Sequence, residues 1–428
     1  MVGSSVTRAD LKGTTITGQN KGTGIYAAGG AGNGTLTMRL EKVDIKGVEM
    51  GVMMEKGESL TISGNSTIEF VGSYGVKVGK DVKSADLKET RITGERKGYG
   101  VHAVGTEKMT LDRVDIKGVG MGVMMMGGGV LEVMGNSTIS FVGDYGVGVY
   151  VGGDVTSASL MRTVITGKGK GSTGVYAMGE DVTMTVADVT ISGVQMGITM
   201  MGGGDLTVTG QSTINFMGGY GVMVGDKVTA DLVKVRIEGD GKGMGTGVIM
   251  EGSGKMMLTE VGISKVKTGV YADNGALEIK GRTTIDFKEN GWGVYVEKLV
   301  KSVSLDDVTI RGEDNGYGIH AVGSEEMVMM LKDVRVSKVG KGVYARGGKK
   351  LTINGNSTID FTGEYGVKVE GLGTTHLTKT RIVGKESVGG RNNGVSVGVY
   401  AVGGETMRLT GVDISKVQTG VSMELGSI

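Results

Sequence analysis

The three histidines are the residues of this chain best suited to acid–base or metal chemistry, because imidazole titrates near neutral pH and readily binds metals. His102 and His320 follow the same Gly-Val or Gly-Ile step, at a place where related segments carry tyrosine or isoleucine. A position that accepts tyrosine or isoleucine is expected to be a packing position. His376 precedes an apolar residue, where related segments carry Asp or Ser, which predicts a solvated strand end.

Paired carboxylates are the second candidate, because two of them flanking a glycosidic bond can cleave a polysaccharide. Acidic residues recur along the chain, but at equivalent places they alternate with Arg, Gly and Thr, as an outward surface would. The sequence therefore predicts no catalytic residue, no metal site and no cofactor, and a polysaccharide-cleaving β-helix enzyme is kept as the alternative. One such series of equivalent positions is Asp44, Asp115, Thr190, Gly262, Arg335 and Asp413.

The composition narrows the class of protein further. The 428 residues include 83 glycines but no proline and no cysteine, which excludes collagen, disulfides and thiol chemistry. The 47 basic and 46 acidic residues leave a formal net charge of +1. Nucleic-acid binding relies on an excess of clustered Lys and Arg, so we expect no nucleic-acid partner.

Five segments of the chain can be aligned with one another residue by residue. Three of them read LTISGNSTIEFVGSYGVKV, LEVMGNSTISFVGDYGVGV and LTINGNSTIDFTGEYGVKV. Successive segments begin roughly 71–75 residues apart, and such a period is the mark of a repeat architecture. The segments begin at Leu60, Leu131, Leu206, Leu277 and Leu351.

Each period divides further into three coils of roughly 25 residues, which gives about 17 coils in all. The first coil is the segment quoted above, the second resembles LKETRITG from Leu87, and the third resembles LDRVDIKGVGMGVMM from Leu111. We therefore expect a single β-helix over residues 1–428. It would comprise a partial unit, 1–59, and five three-coil repeats, 60–130, 131–205, 206–276, 277–350 and 351–428.

Alternating apolar residues punctuated by glycine indicate short strands and turns. Such strands bury their apolar faces by stacking coil upon coil, at about 4.8 Å per coil. A β-propeller competes, but its blades would show four antiparallel strands joined by hairpins. The sequence thus predicts an all-β protein, a right-handed parallel β-helix (solenoid). Uncovered coil edges at both ends would favour end-to-end self-association.

All five phenylalanines occupy one position of the repeat. This regularity predicts that they point inward and form part of the structural core. The only tryptophan, Trp292, stands where other copies carry the tyrosine of a Tyr-Gly pair. The phenylalanines are Phe70, Phe141, Phe216, Phe287 and Phe361.

One loop of the repeat varies in length, between the isoleucine of the second coil and the next Gly-Val or Gly-Ile step. Insertions in a solenoid collect on one edge, which is often the binding face. These loops carry cations among glycines, which would suit multivalent attachment to a glycan or a cell-surface protein. The alternative interpretation is that these loops vary in sequence and length without having a function. The candidate binding residues are Lys21, Arg96, Lys97, Lys168, Lys170, Lys242 and Arg391.

The coils GNSTIDFTGEYGVKV, TGVYAMGEDVTMTVADVTISGV and LTGVDISKVQTGV resemble those of bacterial autotransporter passenger domains, the type V secretion family. The resemblance covers the whole chain and consists of glycine-rich coils poor in proline and cysteine. Its long repeats are similar to those of a subgroup of passengers that act on endothelial cells as growth-factor-like, angiogenic signals. The chain contains neither a signal peptide nor a translocator β-barrel, so the resemblance implies a passenger fragment of a longer precursor.

The resemblance implies a protein that is secreted through the outer membrane and is then displayed on the bacterial surface or released. Our leading hypothesis is a non-enzymatic β-helical virulence factor that engages a host cell-surface receptor or glycan. It would act as an adhesin through many weak sites, or as a receptor ligand through one specific patch. A passive spacer is the remaining alternative.

Overall fold

The computed structural model of the protein describes residues 6–28, 35–242, 244–385 and 396–424. Every regular element in these ranges is a β-strand, and the paired strands run parallel. The prediction of an all-β parallel solenoid is confirmed, with about 16 turns against about 17 coils expected from the period. Within the described ranges no helix is long and apolar enough to cross a membrane.

The chain divides into two compact units, Met1–Asn215 and Phe216–Ile428. The strands of the first unit are β1 (Arg8–Lys12), β2 (Thr15–Thr17), β3 (Thr23–Ala27), β4 (Thr37–Glu41), β5 (Asp44–Val48), β6 (Met50–Ser63), β7 (Thr67–Phe70), β8 (Tyr74–Lys88), β9 (Arg91–Thr93), β10 (Tyr99–Val104), β11 (Lys108–Asp112), β12 (Asp115–Val119), β13 (Met121–Met126), β14 (Gly129–Met134), β15 (Thr138–Phe141), β16 (Val147–Gly152), β17 (Val155–Met161), β18 (Val164–Gly167), β19 (Thr173–Ala187) and β20 (Thr190–Thr209).

The division between the units falls within β21 (Thr213–Val224). The later strands are β22 (Thr229–Val233), β23 (Arg236–Glu238), β24 (Thr246–Met250), β25 (Lys255–Thr259), β26 (Gly262–Arg311), β27 (Tyr317–Val322), β28 (Val328–Lys332), β29 (Arg335–Arg346), β30 (Lys350–Asn354), β31 (Thr358–Glu370), β32 (Thr374–Thr378), β33 (Arg381–Gly384), β34 (Val397–Val402), β35 (Thr406–Thr410), β36 (Asp413–Ser415) and β37 (Thr419–Glu424).

The strands of one turn pair with the corresponding strands of the next. β10, β11 and β12 pair in this way with β13, β14 and β15. Inward side chains therefore stack in columns, as where Val101 pairs with Val76 below it and Val123 above it. All three valines are at most 1% exposed. Each buried side chain of this kind stabilises the fold by about 1.5–3 kcal/mol.

The Gly-Asn-Ser sequence of the repeat forms a tight corner. Asn136 has a φ of 65°, in the left-handed region that asparagine tolerates better than most residues. Ser137 Oγ accepts the Val114 N–H at 3.0 Å, and its hydroxyl donates to the Met134 carbonyl at 2.6 Å. A buried hydroxyl thus satisfies two backbone groups. The same pair of bonds recurs at Ser66, Ser212, Thr283 and Ser357.

The five phenylalanines are each at most 2% exposed, and glycines make room for their rings. A side chain added at Gly167 would place its Cβ 2.7 Å from Phe141 Cζ, and one at Gly312 would lie 2.8 Å from Phe287 Cζ. Both distances are far below van der Waals contact. A large ring therefore fills the space that a glycine of the next turn leaves open.

The glycine of the Gly-Val or Gly-Ile step determines which of the neighbouring side chains face outward. In β27 both Gly318 and Ile319 are buried, so Tyr317 and His320, three residues apart, lie on the same outer surface. A Cβ on Gly318 would collide with the Val336 side chain and lie 2.7 Å from the Gly342 carbonyl oxygen. Only glycine fits where the backbone passes this close to the next turn.

Candidate binding face

On the outer surface of the unit Phe216–Ile428, aromatic residues and lysines recur at two positions of successive turns. One position precedes the buried Gly-Val or Gly-Ile step, and the other follows it. The strand register places Trp292 beside Tyr317 and Tyr295 beside His320. The series continues through β29 and β31 to β34. We call this surface the aromatic face. Its members are Tyr271, Trp292, Tyr295, Tyr317, His320, Lys341, Tyr344, Tyr365, Lys368 and Tyr400.

The rings at the centre of the aromatic face are close together but strongly tilted. Trp292 and Tyr295 have centroids 5.5 Å apart and planes at 45°, and His320 and Tyr344 are 4.8 Å apart at 33°. Tyr317 meets His320 edge-on, at 5.0 Å and 90°. Rings inclined in this way cover one another's faces only in part. Apart from the buried Tyr365, the rings of the face are half-buried, so part of their π-surface meets solvent.

The equivalent positions of the unit Met1–Asn215 form flatter stacks. The rings of Tyr150 and Tyr176 are 5.5 Å apart with planes at 8°, and those of Tyr74 and His102 are 5.2 Å apart at 9°. Parallel rings at this spacing cover each other and contribute about 0.5–1.5 kcal/mol per pair to stability. The paired rings of this unit are inclined by 8–25°. In the other unit Tyr271 and Tyr295 also stack, at 5.6 Å and 25°, and the remaining pairs are inclined by 33–90°.

Lysines lie over the rings and are paired with carboxylates. Lys341 Nζ lies 4.8 Å from the centroid of Tyr317, donates to Tyr317 Oη at 3.0 Å and lies 3.1 Å from a Glu364 oxygen. Lys368 Nζ lies 2.6 Å from a Glu370 oxygen. A cation over a ring face adds about 0.5–1 kcal/mol at such partly exposed sites. The lysines hold the rings in place without leaving an unbalanced positive charge.

Two tyrosine hydroxyls donate to carboxylates at the margin of the face. Tyr295 Oη donates to Glu297 at 2.8 Å, and Tyr344 Oη donates to Glu370 at 2.7 Å. Burial, the hydrogen bond and the nearby negative charge together raise the pKa of each of these tyrosines to about 12. Both hydroxyls therefore remain protonated donors at physiological pH.

His320 lies among the rings of Tyr295, Tyr317 and Tyr344, at 4.8–5.1 Å. Burial lowers its pKa, Glu297 opposes that shift, and Lys341 lowers the pKa further. Its Nδ1 is buried and has no hydrogen-bond partner among the described residues. His102 in the other unit has the same features: a pKa lowered by burial and an unpartnered Nδ1. Both histidines occupy packing positions within ring clusters.

The cations singled out in the sequence lie elsewhere. Those within the described ranges are exposed, and none has a carboxylate of a described residue within ion-pair distance. Lys97 precedes β10, which carries the outward rings of Tyr99 and His102, and Lys242 precedes β24, which carries no ring. Arg391 lies outside the described residues. The exposed cations are Lys21, Arg96, Lys97, Lys168, Lys170 and Lys242.

A shallow groove of the unit Phe216–Ile428 contains both acids and bases. Lys288 pairs with Glu313 at 2.7 Å and Arg311 with Asp286 at 3.7 Å. These are exposed ion pairs, which typically contribute about 0–1 kcal/mol each. In the parts of the chain that the structure describes, no group of three or more His, Asp or Glu side chains could hold a metal ion.

Sequence reasoning missed the aromatic face, although its signal is present. The tripeptides Tyr-Gly-Val and Tyr-Gly-Ile recur in the repeat, and each supplies one ring. The residue that follows the tripeptide is often Tyr, His or Lys, as in Tyr317-Gly-Ile-His320. Strict alternation would place residues three apart on opposite faces. The buried Gly-Ile pair reverses that expectation.

Comparison with models of protein families finds no match, and comparison with curated proteins finds no significant relative.

Proposed function

We propose that the protein is a non-enzymatic binding scaffold that is secreted or displayed on a bacterial surface and attaches to host cells as an adhesin. The observation that carries this proposal is the aromatic face, on which tilted, half-buried rings recur over successive turns. Tyrosine and tryptophan are the residues enriched where proteins bind partners, because they are large, rigid and amphipathic. A series of such rings supports attachment through repeated weak contacts.

A binding role is favoured over catalysis by the state of the polar groups on the face. Glu364 and Glu370 are engaged by lysines, and His320 is packed among rings with a lowered pKa. A glycosidase of the usual kind needs one carboxylic acid held protonated and a second carboxylate opposite it. The pKa of Glu370 is instead lowered, because its hydrogen bonds from Lys368 and Tyr344 outweigh burial.

The test is the binding of labelled, purified protein to cultured epithelial and endothelial cells. The double variant Tyr317→Ala/Tyr344→Ala should bind at least about tenfold more weakly than the wild type, as expected for central aromatic contacts. The matched control is Tyr150→Ala/Tyr176→Ala, which removes two rings from the other unit and should bind like the wild type. Equal loss in both double variants, or no saturable binding by the wild type, would overturn the proposal.

Receptor phosphorylation on the same samples separates the two modes of host interaction. Binding without phosphorylation supports an adhesin. Phosphorylation at low protein concentration supports the growth-factor-like receptor ligand that the autotransporter resemblance implies, and would replace the adhesin proposal. Release of reducing sugar from mixed polysaccharides would favour the enzymatic alternative.

A further inference from the structure

We infer that the aromatic face binds a neutral glycan chain that lies along the stacked strands of the unit Phe216–Ile428. This inference rests on the proposed function and specifies its ligand. Three features of the face support it: the accessible ring surface, the carboxylate oxygen beside the rings, and the balance of charge.

The ring surfaces match the apolar side of a sugar. A pyranose presents C–H groups on one side, and the electron-rich face of an aromatic ring attracts such polarised hydrogens. Trp292 and Tyr295 are inclined at 45°, and Tyr317 and His320 at 90°. Tyr295 also stacks on Tyr271, at 5.6 Å and 25°, and Lys341 lies over Tyr317, so the half-buried Trp292 keeps the most ring surface for a ligand. Tyr150 and Tyr176, at 8°, cover each other.

The polar groups beside the rings match sugar hydroxyls. Glu297 uses one carboxylate oxygen to accept from Tyr295, and its second oxygen has no hydrogen-bond partner among the described residues. A carboxylate can accept several hydrogen bonds, so this oxygen can receive a sugar O–H while Tyr295 keeps the side chain in place. A glycan that stacked on Trp292 and Tyr295 would place hydroxyls at its rim.

The balance of charge favours a neutral ligand. The cations of the face and its margin are Lys341, Lys368 and Arg346, and the acids are Glu251, Asp273, Glu297, Glu364, Glu370 and Glu424. Lys341 and Lys368 are paired with Glu364 and Glu370, at 3.1 and 2.6 Å. A sulfated or acidic glycan would have to displace these carboxylates and would meet further acids beside Tyr271, so a neutral glycan is favoured over an anionic one.

The spacing of the rings predicts a length dependence. Turns stack at about 4.8 Å, so the half-buried rings from Tyr271 to Tyr344, on four successive turns, extend over about 14 Å. An oligosaccharide lying along this direction gains contacts with each added sugar until the rings are covered. Affinity should therefore rise with chain length and then reach a plateau.

Trp292 provides the assay, because it is the only tryptophan of the chain and belongs to the face. The purified full chain is first screened on an array of neutral and anionic glycans. Neutral oligosaccharides that are retained are then titrated as a length series while Trp292 emission is recorded, with heparin as the anionic comparison. We expect saturable changes in emission with neutral chains and none with heparin.

Variants connect the signal to the rings. Tyr344→Leu keeps much of the side-chain bulk but removes the ring, and should weaken binding about two- to tenfold, the range that one aromatic contact supplies. Tyr176→Leu, in the other unit, is the matched control and should bind like the wild type. Circular dichroism and melting curves check that both variants are folded.

The outcomes distinguish this inference from the proposed function. In one outcome the protein retains only anionic glycans, or no glycan, and still binds cells through Tyr317 and Tyr344. That result overturns the neutral-glycan inference and leaves the adhesin proposal standing. Glycan binding that Tyr344→Leu does not weaken also overturns it. Absence of both cell and glycan binding overturns both proposals.

Discussion

Single aromatic residues serve two different purposes in this protein. Phe141 is fully buried, and its ring lies against Gly148 of its own turn and Gly167 of the following turn. Trp292 and Tyr317 lie on the outer surface, half-buried, with tilted neighbours. The first kind stabilises the core, and the second kind supplies contact area. The two kinds predict opposite effects of substitution on stability and on binding.

Phe141→Ala should lower the free energy of unfolding by about 3–5 kcal/mol, because it removes a buried ring from a space that flanking glycines cannot fill. The measurement is urea denaturation followed by circular dichroism. Tyr145→Ala is a suitable control, since Tyr145 is 79% exposed and its removal should change the midpoint little. A midpoint for Phe141→Ala equal to that of the wild type would contradict the inward assignment.

Tyr295 and Tyr344 should make the stability of the protein depend on pH in alkaline solution. Their pKa values are raised from 10.0 to about 12, so above pH 10 the unfolded chain releases these protons first. Their stabilising contribution is complete below pH 10 and is lost as the pH rises towards 12. The urea midpoint should therefore fall over this window.

The double variant Tyr295→Phe/Tyr344→Phe separates the effect of these two hydroxyls from that of the lysines, because the lysines titrate in the wild type and in the variant alike. Its midpoint should fall less steeply between pH 10 and 12 than that of the wild type. Parallel pH profiles for the two proteins would show that these hydroxyls do not retain their protons in the folded state.

At the scale of the element, the corners of the turns depend on small residues with specific bonds. Ser137 satisfies the Val114 N–H and the Met134 carbonyl from a buried position. Gly318 allows the strand to approach the next turn, which places Tyr317 and His320 on one surface. The corner residues thus determine both the stacking of the strands and the direction of the rings.

Ser137→Ala should destabilise the protein by about 1–3 kcal/mol, because it leaves a buried backbone N–H without a partner. The chain itself offers the matched control, since Thr283 makes the same two bonds at the equivalent corner. Ser137→Thr should therefore remain close to the wild type in thermal unfolding. Equal melting temperatures for the alanine and threonine variants would refute the role of the hydroxyl.

The strands and the core were predictable because their signals are local. The Leu60 and Leu131 segments align without gaps, and apolar alternation with glycine corners is typical of short stacked strands. The aromatic face was not predicted, because Tyr317 and His320 are three residues apart and share a surface only through the buried Gly318-Ile319 step. The tilt of the rings depends on neighbours about 25 residues away, and no local pattern encodes it.

At the scale of the whole molecule, the charge is close to neutral. The formal net charge is +1, and the lysines of the aromatic face are paired with carboxylates. The loop cations, such as Lys97 and Lys168, have no such partners among the described residues. The two candidate binding surfaces therefore respond differently to salt.

Attachment of a neutral glycan through the aromatic face should be nearly independent of ionic strength, changing by no more than about twofold from low to high salt, because the ligand carries no charge whose interaction salt could screen. Attachment through the loop cations to an acidic glycan should weaken steeply as salt rises, because exposed charges are screened beyond about one Debye length. Cell binding measured across a salt series separates these surfaces. The variant Lys168→Gln/Lys170→Gln should bind like the wild type at every salt concentration. A steep salt dependence that this substitution reduces would transfer the binding role from the rings to the loops.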